Sequence, residues 1–256
     1  MTDRTGVAPS VCRSVMARGV TGVLLGVAFA ASTPSTSAAY EVVTVSNGGT
    51  VDGVVTLSGT SPAAASIKVT KNQDYCGTTI VDPAYTVGAG SGLGNVLVYL
   101  KEIGKGKAGS TEPVLLGNEK CMFSPRVQGA MVGQQIKVYS EDPVLHNTHP
   151  QNAATNATIY NIALPFKGFS VTKPLPGVPG LIKVKCDAHE WMRAWIMELD
   201  HPYFATTSAD GHFTIKDVPA GSYTLAAWHE VAGEASIPVV VAAGQTAKPR
   251  LSLAAK

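Results

Sequence analysis

Cys186, His189 and Met192 share one short stretch, Lys185-Cys186-Asp187-Ala188-His189-Glu190-Trp191-Met192. Well upstream lies Leu145-His146-Asn147-Thr148-His149. A thiolate, two imidazoles and a thioether are the donors of a trigonal copper site with a weak axial sulfur. The spacing C-x2-H-x2-M lets Cys186 and His189 meet one ion from a tight loop. Met192 then approaches from the axial side. A short loop does not surround an ion alone, so the remaining ligand is expected from another segment, and His146 fits. Zinc accepts thiolate and imidazole but not a thioether. A binuclear copper centre needs a second Cys in the loop, where Lys185 and Asp187 stand instead. Haem attachment needs C-x-x-C-H, which is absent. Separately, Cys186 could be a buried apolar thiol and Met192 core filler.

The elements that must position these residues read as strands. Val51 to Ser58 alternates apolar with small or polar residues, Ser66 to Thr70 alternates cleanly, and Asn95 to Leu100 is a continuous apolar run. Gly and Pro punctuate throughout, as in Gly48-Gly49 and Pro174-Leu175-Pro176-Gly177. Short strands with close turn signals predict an all-β sandwich or barrel. Ile136 and Val138 alternate on a strand ending at the Asp142-Pro143 turn, which puts His146 in a loop at one end of a sandwich. In the tail, Asp210-Gly211 is a tight turn, after which Phe213 and Ile215 share one strand face.

Arg4, Arg13 and Arg18 precede the apolar run Gly19 to Ala31, and Ser37-Ala38-Ala39 offers small residues for cleavage before Tyr40. This predicts a signal peptide over 1–39 and an exported chain, periplasmic or secreted, in a bacterium. An uncleaved anchor is the alternative, although the run is short for a bilayer. No stable membrane insertion is expected after cleavage. The full sequence has 256 residues and a net charge of +2. Without the three arginines and Asp3 of the leader it is close to neutral, so nucleic acid is not an expected partner. Of the four cysteines, Cys12 leaves with the leader. One partition of the odd remainder pairs Cys76 with Cys121 and leaves Cys186 as a metal thiolate; an adventitious free thiol is the other. Hydrolase signatures such as H-E-x-x-H and G-x-S-x-G are absent.

Residues 118–200 resemble the cupredoxins, most closely the amicyanin-like branch, through Met122-Phe123-Ser124-Pro125, His146-Asn147, Leu181 to Cys186 and Met192-Arg193. The resemblance implies a Greek-key β-sandwich holding one type 1 copper ion. His146, Cys186 and His189 would be the trigonal ligands and Met192 the axial one. Asn147 would tie the two ligand loops together by hydrogen bonding. With protein ligands at every position, the implied role is electron transfer and not enzymatic catalysis. Transient partners would be c-type cytochromes or a periplasmic dehydrogenase. His189 would be the electron port, with Pro150, Glu190 and Trp191 around it. The branch often carries Pro where Glu190 stands. The tail, and weakly residues 49–100, resemble carboxypeptidase regulatory-like domains with a small transthyretin-like sandwich. The expected organisation is therefore a regulatory-like β-sandwich split over 40–110 and 201–256, with the copper domain, 111–200, inserted. A copper carrier, or a structural envelope module without redox role, remains the alternative. His149 could be an alternate ligand or face a partner. His201, His212 and His229 lie outside the ligand block, and Trp195 and Trp228 read as core.

Overall fold

The computed structural model describes residues 39–256, so the signal peptide read at 1–39 lies outside the described residues except for Ala39. Almost every element is a strand. The helical pieces are a four-residue turn, Gln73–Cys76, and a three-residue turn, Ala89–Ser91. Among the described residues no helix is long and apolar enough to cross a membrane.

Two apolar cores organise the chain. In the first, the strand Gly49–Ser58 pairs antiparallel with His212–Val218 and parallel with Arg250–Ala254. Its companion sheet runs in the order Phe204–Thr206, Leu97–Lys101, Gly221–His229, Gly233–Val241. The period-2 alternation of strands puts Val51, Val55 and Leu57 on the inner face, with Phe213 and Ile215 beside them. Gly211 has a φ of 82°, a left-handed turn conformation that a Cβ would strain.

The second core lies between two further sheets. One runs in the order Ser170–Pro174, Gln135–Ser140, Val114–Glu119, Met122–Ser124. The other runs Ile162–Leu164, His146–Asn152, Gly180–Lys185, Arg193–Leu199, Val127–Met131. Leu116, Ile136, Val138, Ile182, Val184 and Ile196 fill the space between them.

The block boundaries differ from expectation in one respect. Residues 66–82, read as part of the first sandwich, leave it and pack on the second core through Ile67, Val69, Cys76 and Ile80. Alternation in Ser66 to Thr70 identifies an apolar face but not the core it covers. Cys76 is bonded to Cys121 and fastens this excursion in place. Trp195 and Trp228 also differ from expectation. They are half-buried and meet edge-to-face, 5.4 Å between centroids, where the two cores adjoin. At the same seam Arg126 makes a bidentate ion pair with Glu230, both side chains largely buried.

Candidate metal centre

The strand His146–Asn152 and the loop between Gly180–Lys185 and Arg193–Leu199 converge at one end of the second core. Strand alternation turns His146 and Thr148 inward and Asn147 and His149 outward. The loop closes on itself: Cys186 N–H donates to Met192 O (3.4 Å) and Met192 N–H donates to His189 O (3.0 Å). Cys186, His189 and Met192 are thereby all buried. His146, Cys186 and His189 each present one donor atom, all within 4.8 Å of one another. The two Nδ1 atoms are 3.0 Å apart, and Cys186 Sγ is 3.8 Å from His189 Nδ1. Met192 is fully buried in the same apolar cluster as Cys186.

The tautomers follow from the outer partners. Asp142 is buried, and burial alone would raise its carboxyl. Hydrogen bonds from Cys121 N–H, Tyr75 O–H, Lys120 N–H and His146 outweigh this and hold it below the usual carboxylate range. The ionised carboxylate only accepts, so His146 Nε2–H donates to Asp142 Oδ2 (2.9 Å). His189 Nε2–H likewise donates to Asn72 Oδ1 (2.9 Å). Both Nδ1 atoms therefore turn lone pairs toward one point. Facing lone pairs at 3.0 Å repel unless a cation lies between them, and a thiol beside them completes a soft donor set. The residues fit a bound metal ion on this ground.

Electrostatics keep the donors neutral. Burial lowers the His146 imidazole despite Asp142. Burial and the nearby His146 lower His189 to about 4. Burial pushes the Cys186 thiol up, opposed by amide hydrogen bonds of which Asn147 N–H to Sγ (3.2 Å) is one. A bound cation reverses that last trend, because it stabilises the thiolate directly. A second cluster, Cys121, Asp142 and His146, offers no thiolate, since Cys121 is in the disulfide.

Asn147 links the two loops by hydrogen bonds, its backbone N–H donating to Cys186 Sγ. Its side chain donates to Asn161 Oδ1 (3.2 Å), and Asn161 donates to Asp187 Oδ2 (2.6 Å). His149 points away from the cluster, donating through Nδ1 to Asp187 (2.9 Å) and accepting from Thr158 O–H (2.8 Å). His189 is not the solvent-facing edge that the resemblance implies. It is fully buried, with Trp191 tilted against it at 4.9 Å between centroids and Asn72 over its Nε2. Pro150, read as part of a docking face, is buried too.

Sequence reasoning missed two site residues, Asn72 and Asp142. Asn72 lies 117 residues from its partner, and Asp142 reads locally as a turn residue before Pro143. The one available signal was the Cys76 to Cys121 pairing, which draws residues 72–76 toward the strand end that precedes Asp142.

A family model described as polysaccharide lyase family 4, domain II, matches residues 178–249. It starts in the second core, crosses the ligand loop and continues into the tail. No curated protein sequence matches the chain. Among solved structures, a reduced amicyanin variant is similar at TM-score 0.31 and 15% identity, covering 34% of this chain and 82% of that one. A purple cupredoxin from Nitrosopumilus maritimus is similar at TM-score 0.30 and 18% identity, covering 34% and 99%. These likenesses concern about a third of the chain.

Proposed function

We propose that the protein is an exported carrier of single electrons, in which His146, Cys186, His189 and Met192 would hold one copper ion. The observation that carries this reading is the convergence of two imidazole Nδ1 atoms and a thiol in a buried site. Copper bound there would supply a one-electron couple between Cu(I) and Cu(II). The chain's residues do the rest. Asp142 and Asn72 fix the two imidazoles from behind, which limits ligand movement when the charge changes. Asn147 N–H on Cys186 Sγ withdraws charge from the sulfur and so tunes the potential. Burial of all three donors keeps water and substrates away from the ion, which favours outer-sphere transfer over catalysis at the metal.

The partners proposed are c-type cytochromes or a periplasmic dehydrogenase, met in short encounters. Voltammetry of the copper-loaded protein, followed by stopped-flow mixing with reduced cytochrome c, tests the reading. A reversible one-electron wave and a fast second-order reaction support it. Copper binding without either leaves the protein a copper carrier. One observation favours that second reading: Asn72 covers the His189 edge through which an electron would otherwise pass.

A further inference from the structure

The excursion 66–82 is small: two three-residue strands, Ser66–Lys68 and Thr79–Val81, flank the turn Gln73–Cys76. Its contacts with the second sandwich are nonetheless aimed at the metal end. Asn72 Oδ1 accepts from His189 Nε2 (2.9 Å). Tyr75 O–H donates to Asp142 Oδ1 (2.8 Å), whose other oxygen holds His146. Cys76 is bonded to Cys121, and Cys121 N–H donates to the same carboxylate (2.8 Å). Both imidazoles are thus held at Nε2 by groups that this one segment contributes or contacts. Asn72 and Tyr75 are themselves exposed, so the segment is a single layer between His189 and water.

We infer that residues 66–82 are a latched cover over the metal position, with Asn72 and Tyr75 as positioning residues and the Cys76–Cys121 bond as the latch, so that this segment governs how fast an ion enters and leaves. The inference rests on the copper-holding reading above. The cover is not fused to the ligand loop along its whole length. A cavity of about 370 Å³ lies between Ile67, Lys68 and Thr70 on one side and Glu190, Trp191 and Arg193 on the other. The segment therefore has free space on this side; Ile67, Val69 and Ile80 pack it on the second core, while Asn72, Tyr75 and Cys76 are its fastenings at the metal end. Asn72 has a left-handed backbone (φ 54°), which Asn and Asp tolerate better than most residues, so Asn72→Asp keeps both the turn and the carbonyl-type acceptor.

The test has two arms. In the first, protein loaded with Cu(I) is mixed with bathocuproine disulfonate and copper transfer is timed. Asn72→Ala should release copper about 10-fold faster than wild type. Asn72→Asp should stay near wild type, and Cys76→Ala with Cys121→Ala should be at least as fast as Asn72→Ala. In the second, metal-free protein is treated with diethyl pyrocarbonate and modified histidines are mapped. His189 should be protected relative to exposed His212 and become reactive in Asn72→Ala. Equal release from wild type and Asn72→Ala would overturn the cover while leaving copper binding intact. Wild-type His189 reacting as fast as His212 would overturn it without reference to copper. A protein that takes up no Cu(I) would overturn both the cover and the function it rests on.

Discussion

Among the described residues four imidazoles are buried, two in each half of the protein, and their Nδ1 atoms are used in opposite senses. In the first core His229 Nδ1 accepts from the backbone N–H groups of Val231 and Ala232 (3.2 and 3.1 Å), and His201 Nδ1 accepts from Tyr203 N–H (3.2 Å). Those Nδ1 lone pairs are occupied by the chain itself. In the second core His146 and His189 donate through Nε2 to an aspartate and an asparagine, which leaves both Nδ1 atoms facing each other beside Cys186. Burial lowers the basicity of all four. The contrast teaches that a buried histidine becomes a candidate ligand through the partner on its far nitrogen, not through burial.

Asp142→Ala should break this contrast most severely. It leaves Lys120 N–H, Cys121 N–H, Tyr75 O–H and His146 Nε2–H without their acceptor. A loss of about 3–5 kcal/mol is expected in urea unfolding, the scale of removing one partner from a buried charged network. Leu225→Ala, fully buried in the first core, should cost about 2–5 kcal/mol in the same assay. It should leave copper affinity unchanged; a parallel fall in affinity would mean the two halves are not separable.

Glu198→Gln sharpens the comparison through pH. Glu198 is buried; Oε1 accepts from Gly177 N–H, while Oε2 has no partner. Burial raises its carboxyl above the usual range. A raised folded-state value favours the protonated form, so the stability this group contributes is present below the usual glutamate value. It is lost as pH rises through the raised folded value. Glu198→Gln should therefore raise Tm at neutral pH, with the gain vanishing below the ordinary carboxylate range. A pH-independent difference would contradict the assignment. The smallest effect is expected at Lys248→Ala, whose exposed pair with Asp52 spans 3.5 Å; under about 0.5 kcal/mol should be lost.

Local periodicity carried the strands well. The alternation of Val51 to Ser58 and of Phe213 with Ile215 specifies a buried face because neighbouring side chains on a strand must point apart. The pairing of Cys186 with His189 was legible for a related reason: the two are three residues apart in one loop, so spacing alone brings their donor atoms near each other. Asn72 and Asp142 were not legible, because their roles depend on chain segments far apart that only the folded sandwich joins. The cover of residues 66–82 belongs to the same class. Its alternation promised a strand, and nothing local reported that the strand would cross to the other core and bury the His189 edge.

On the proposed function, His146, Cys186 and His189 bind one ion together. The most direct measurement is a Cu(II) titration of metal-free protein followed by visible absorption, with Cys186→Ser alongside. The account predicts an intense thiolate-to-copper charge-transfer band that saturates at one equivalent, bleaches on reduction and is absent from the serine variant. A colourless wild type, or a band that survives in Cys186→Ser, would contradict it.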